Sequence, residues 1–175
     1  PLAMSFAALE DYFTSQGRDW ERYAFIKARA CAGDVAAGQS LLRDLRPFVY
    51  RRYLDFGAID ALRDMKSRIR AERHDISNLK LGPGGIRDVE FSVQVQQLIW
   101  GGRQTELQES ALLVVLPVLE RLGHLEPAAV ADLAAGDRFL GDAGPSLPAA
   151  GDRQTPTLPA SVPPQPPPAA RFSFR

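Results

Sequence analysis

Three observations predict a mainly α chain for this sequence of 175 residues. Apolar residues recur at three- and four-residue spacing over most of the first 140 positions, as in Ile59, Leu62, Met65 and Ile69. Good helix caps stand where such patterns begin, at Ser5, Asp19 and Asp34. Only one segment alternates in the manner of a strand, and no second strand is evident for it to pair with. Beyond residue 140 the pattern stops. Nine of the fourteen prolines fall within 141–175, a tail expected to be disordered with polyproline character, because it cannot bury enough apolar surface to offset its ordering.

Taken in order, Ser5 caps a helix running to Gln16, and Gly17 ends it. Asp19 is expected to cap a second, with Trp20, Tyr23, Ala24 and Lys27 along one face and Trp20, Tyr23 and Phe25 supplying core. Asp34 caps a third to about Arg46, and Pro47 suits the first turn of a short piece ending at Leu54. A further helix is expected from Gly57 to Arg73. Leu107 to Leu122 is apolar enough for a buried helix that Pro117 should bend, and Pro127 to Leu140 makes the last.

The remaining segment, residues 80–102, reads KLGPGGIRDVEFSVQVQQLIWGG. Val89, Phe91, Val93 and Val95 alternate with Glu90, Ser92, Gln94 and Gln96, which alone describes a strand. The helical projection instead places Arg87, Glu90, Gln94 and Gln97 on one stripe. Length decides for a helix from Ile86 to Trp100, closed by Gly101 and Gly102, since such a run is long for a strand.

Composition limits the function. Equal numbers of basic and acidic residues, 21 each, argue against a protein whose main task is gripping nucleic acid. No apolar run approaches the roughly 18 residues of a membrane span, and no secretion signal opens the chain, so a cytoplasmic location is expected. Cys31 is the only cysteine, which excludes an internal disulfide and a thiolate zinc cluster; His74 and His124 have no ligand-like spacing. From Arg43 to Arg73 nine basic residues stand against five acids, which makes either a solvated helix face or a patch facing a phosphate or a partner.

The glycine turn is the place for chemistry. Gly82, Gly84 and Gly85 admit backbone angles closed to other residues, and Pro83 stiffens the turn. A helix starting at Ile86 would aim free N–H groups at that turn, which suits an anion. A turn of this kind also occurs as a plain loop, and Arg87 with Glu90 also fits an ordinary surface pair. On the functional reading, Lys80 and Arg87 neutralise phosphate oxygens, Lys80 as a point charge and Arg87 by its planar fork, while Gly84 and Gly85 let the backbone come close. Glu90 is the first choice for a carboxylate reaching a metal or a water, and Asp88 the second. Gln94 and Gln97 could steady Glu90 by hydrogen bonds. Arg18, Arg22, Lys27 and Arg29 could also face a nucleotide or a protein.

The 80–102 segment, together with GRDWERYAFIKARACAGD and RPFVYRRYLDFGAIDALRDMKSRI, closely resembles the glutamate-ammonia ligase adenylyltransferases, which adenylylate and deadenylylate glutamine synthetase. The turn alone also looks like that of the related uridylyltransferase of the PII protein, but 20–34 and 90–102 favour the former. The resemblance runs from Pro1 to about Leu140 and is similar to the adenylyl-removing half. It implies the helical bundle region of a polymerase-beta-type nucleotidyltransferase half. The implied substrates and partners are ATP or ADP, phosphate, the adenylylated tyrosine of glutamine synthetase and the PII protein. Mg²⁺ is the implied cofactor, with two metals serving the attacking and leaving oxygens. The implied organisation is the end of a catalytic region over 1–33, a helical domain over 34–140 carrying GPGGIRDVEF, and a Pro-rich tail over 141–175, disordered or shifted in reading frame.

The family's Asp-x-Asp has no counterpart anywhere in this sequence. The chain is therefore expected to be a fragment, inactive alone. A non-catalytic helical module contacting glutamine synthetase or PII, or part of a PII uridylyltransferase-like protein, is the alternative.

Overall fold

A computed structural model describes residues 3–53, 56–71 and 85–146. These residues form helices α1 (Phe6–Ser15), α2 (Asp19–Phe25), α3 (Val35–Asp44), α4 (Arg46–Val49), α5 (Phe56–Ala71), α6 (Ile86–Trp100), α7 (Leu112–Arg121) and α8 (Pro127–Ser146), with a 3-10 turn at Thr105–Leu107. No strand occurs among the described residues, so the fold is mainly α. None of the described helices is long and apolar enough to cross a membrane. The chain divides into two compact units, one of residues 1–65 with 94–111, the other of 66–93 with 112–175.

In the first unit, Ser5 Oγ accepts the Ala8 N–H at 3.2 Å and starts α1, and Asp34 Oδ1 accepts the Ala37 N–H at 2.9 Å and starts α3. α4 lies against α2 and α3. Phe13, Leu41 and Leu45 are the buried centre, flanked by Leu9, Tyr12, Phe25 and Phe48. Phe13 meets Phe25 edge-on and tilts against Phe48, both at 4.6 Å between ring centres. Gly17 is required here by space, since a Cβ would strike the Phe48 ring and lie 2.7 Å from the Phe13 carbonyl oxygen.

Of the residues expected to supply core on α2, Phe25 packs against it, but Trp20 does not. Asp19 is the first residue of the helix and not its cap; Arg18 occupies the cap position, and Glu21 reaches back to accept its N–H at 2.9 Å. Glu21 and Arg22 are the buried residues of α2, whereas Trp20 is 56% exposed. The interior accepts these two charged residues because each is bonded: Glu21 Oε1 also accepts the Tyr12 hydroxyl at 2.8 Å. Arg22 donates from Nε to the Phe48 carbonyl at 2.8 Å and from NH1 to Asp19 at 2.7 Å.

Gly101 and Gly102 stand where expected for a different reason from the one expected. Neither adopts the left-handed backbone of a helix-ending glycine; among the described residues only Gly33 and Gly123 do. A Cβ on Gly101 would sit 2.6 Å from the Tyr50 ring, and one on Gly102 would strike the Arg51 carbonyl. The pair leaves room for the Tyr50 ring at Gly101 and for the Arg51–Arg52 backbone at Gly102.

In the second unit, Leu112, Val115, Leu116 and Leu119 form the buried stripe of α7, which packs on α8, and Ala129, Val130, Leu133 and Leu140 are the buried residues of α8. Val89 and Val93 of α6 are fully buried. The α7 helix starts five residues later than expected, so Pro117 falls soon after the first turn, where its missing N–H costs one ladder bond. Gly123, at φ 73°, ends α7: His124 N–H bonds to the Leu119 carbonyl at 2.9 Å and Gly123 N–H to that of Glu120 at 2.9 Å. Helix α8 continues six residues past Leu140 to Ser146.

Candidate functional site

Helix α6 carries most of the expected site residues. Lys80 and Gly84, with Gly82 and Pro83, lie outside the described residues. Gly85 is buried, and its carbonyl accepts the N–H groups of Asp88 at 2.9 Å and Val89 at 3.2 Å, which starts the helix. Ile86 and Arg87 occupy first-turn positions whose N–H groups have no carbonyl partner within a helix.

The helical reading of 86–100 holds, and burial explains the misleading alternation. Val89, Phe91, Val93, Val95 and Leu98 are buried, but so are Asp88, Ser92, Gln94 and Gln97. A helix covered on most of its circumference has no polar face to impose a three-to-four-residue rhythm.

Along the polar stripe exposure falls with distance from the glycine turn. Arg87 is exposed, Glu90 is half-buried, and Gln94 and Gln97 are 4% and 2% exposed. Asp88 sits on another face, 4% exposed, in the first turn, where a carboxylate is favoured by the helix dipole. Ser92 Oγ donates to the Asp88 carbonyl at 2.9 Å. Lys66 lies 5.4 Å from the centre of the Phe91 ring.

Gln97 has a different task from steadying Glu90. Its Nε2 donates to the carbonyls of Leu107 and Glu109, both at 2.7 Å, so it fastens the 104–110 loop. Gln108 Nε2 in turn donates to the Gly101 carbonyl at 2.7 Å. Arg22 cannot face a ligand, being 2% exposed and bound to Phe48 and Asp19; Arg18, Lys27 and Arg29 are exposed.

Mg²⁺ takes about six oxygens in near-octahedral order. Asp88 and Glu90 lie two residues apart, about 200° round the helix, and no group of three or more His, Cys, Asp or Glu side chains comes together among the described residues. The described residues therefore do not form a magnesium site by themselves.

The reading of residues by type missed the interior pair Glu21 and Arg22. The spacing of Arg18 and Glu21, which is that of a reciprocal helix cap, was the available signal.

Comparison with known proteins adds two family matches. Residues 1–44 match the model described as glutamate-ammonia ligase adenylyltransferase, and residues 60–175 the model described as GlnD PII-uridylyltransferase. Among curated proteins, the bifunctional glutamine synthetase adenylyltransferase/adenylyl-removing enzyme of Pseudomonas aeruginosa is 58% identical over 163 residues, 91% of this chain and 17% of that protein. The enzymes of the same description from Nitrosococcus oceani and Xanthomonas campestris are 54% and 52% identical over 165 residues, 93% of this chain and 17% and 18% of theirs. The chain spans less than a fifth of the length of these relatives.

Proposed function

With the chain belonging to the glutamate-ammonia ligase adenylyltransferase family, and its residues 60–175 to the family described as GlnD PII-uridylyltransferase, we propose that it forms a helical wall beside the adenylyl-removing centre of a bifunctional enzyme acting on glutamine synthetase. In that reaction an oxygen of inorganic phosphate attacks the adenylyl phosphorus. The bond from that phosphorus to the tyrosine oxygen breaks, ADP leaves and the tyrosine regains its proton.

The graded burial of the Arg87, Glu90, Gln94, Gln97 stripe, beginning at a buried glycine, carries this reading. An exposed guanidinium in the first turn and a half-buried carboxylate three residues on suit a phosphate-bearing substrate approaching from the glycine end. Arg87 offers a planar fork to phosphate oxygens, and first-turn N–H groups add donors. Lys80, Gly84 and Gly85 are proposed to complete the phosphate contact, Lys80 by its charge and the glycines by admitting the backbone. When bound, magnesium would polarise phosphate oxygens. Glu90, with Asp88 as the second candidate, would give it one carboxylate, the other donors coming from elsewhere in the whole enzyme.

Because the sequence contains no Asp-x-Asp, the chain alone is proposed not to turn over. The PII protein is proposed as a regulatory partner, in keeping with the description of the model that matches residues 60–175. The test is phosphate-dependent ADP release from adenylylated glutamine synthetase by the full-length enzyme carrying this segment. Glu90→Gln should lower that rate at least about tenfold, as loss of a charged contact to the reacting centre would. Equal rates for variant and parent would remove Glu90 from the site.

A further inference from the structure

Within the first unit a cleft of about 360 Å³ opens among α2, α3, α4 and residues 108–110. Its size falls in the range of small-molecule sites. Phe25, Ile26, Leu42 and Val49 supply apolar lining, and Arg29, Arg43 and Arg46 supply three guanidiniums. All three arginines are exposed, and none is ion-paired among the described residues. One carboxylate, Glu109, also lines the cleft. Three unneutralised guanidiniums against one carboxylate leave a local excess of positive charge in a chain whose net charge is zero.

The geometry points to a binding site for a small phosphate ester with a flat apolar body, its phosphate held by Arg29, Arg43 and Arg46 and its body lying against Phe25, Leu42 and Val49. Arginine suits this ligand because its fork matches phosphate oxygens two at a time. Gln39, Gln108 and Ser110 add neutral hydrogen-bonding groups to the same lining. Tyr50 also lines the cleft, and its hydroxyl stays protonated, its pKa pushed up to about 12 mainly by burial. An ordinary solvated surface would pair such arginines with nearby acids or spread them apart. The basic stretch that begins at Arg43 thus acquires a specific use for its first two members. The inference does not rest on the role proposed for α6.

Phenyl phosphate and inorganic phosphate are the probes, titrated calorimetrically into the full 175-residue chain. Phenyl phosphate should bind saturably and several-fold more tightly than inorganic phosphate, since only it can use the apolar lining. Arg29→Gln, Arg43→Gln and Arg46→Gln should each weaken it about tenfold, the worth of one charge-assisted contact. These are exposed positions, and unchanged melting curves would show the variants folded. Arg63→Gln, which removes an exposed arginine outside the cleft lining, should leave affinity unchanged. Absence of saturable phenyl phosphate binding, equal affinity for the two probes, or equal weakening by Arg63→Gln would each overturn the assignment.

Discussion

Gln97 and Leu107 are joined by a hydrogen bond of 2.7 Å, and the same Nε2 makes a second bond of equal length to the Glu109 carbonyl. One buried amide on α6 thus satisfies two loop carbonyls. Replacing Gln97 with Ala should leave both without this donor and cost about 2 kcal/mol, the penalty for unsatisfied buried acceptors. Urea unfolding should report the loss as a lower midpoint with an unchanged slope.

Two glycines should respond oppositely to alanine. At Gly102 a Cβ would collide with the Arg51 carbonyl, a backbone atom that cannot swing away, so Gly102→Ala should destabilise by about 1–3 kcal/mol. At Gly141, inside α8, nothing lies within 4 Å of a built Cβ, and Gly141→Ala should stabilise by about 0.5–1 kcal/mol. Thermal melts of the two variants, moving in opposite directions, are the check.

The second unit depends on the α7 stripe. Leu119 is fully buried while Val114 is 55% exposed on the same helix. Leu119→Ala should cost about 2–5 kcal/mol and Val114→Ala roughly a tenth of that. Similar losses for both would mean that α7 is not oriented as described.

Tyr50 gives the fold an alkaline limit. Burial, the largest influence, raises its hydroxyl pKa to about 12 from 10.0, with Arg46 lowering it and Glu109 raising it by smaller amounts. Between those two values the unfolded chain has lost a proton that the folded chain retains, so stability is complete below pH 10 and falls as pH rises towards 12. The loss should reach about 2–3 kcal/mol. Tyr50→Phe should flatten this part of the stability profile. His124 works in the other direction: burial lowers its pKa below 6.5, so its contribution is present above that value and lost as pH falls.

Helix existence was legible in the sequence because caps and apolar spacing agree: Ser5 and Asp34 cap α1 and α3 as expected. The face of α2 was not. Burying Glu21 and Arg22 while exposing Trp20 depends on partners, Tyr12 and the Phe48 carbonyl, that only the tertiary fold supplies. Gly101 and Gly102 looked like a helix stop, but their reason is the Tyr50 ring and the passing Arg51–Arg52 backbone, about fifty residues away in sequence. Arg87 and Glu90 were singled out through the glycine turn, since that motif is local. The cleft holding Arg29, Arg43 and Arg46 was visible only as scattered basic residues, because three segments must meet before it exists.

The central claim is that the start of α6 meets phosphate during adenylyl removal, and the phosphate KM of the full-length enzyme tests it most directly. Arg87 is exposed at the start of the stripe, so Arg87→Gln should fold normally. It should raise the phosphate KM about tenfold, the worth of one charge-assisted contact, while affinity for adenylylated glutamine synthetase stays near the parent value. An unchanged phosphate KM in a folded Arg87→Gln enzyme would contradict the account.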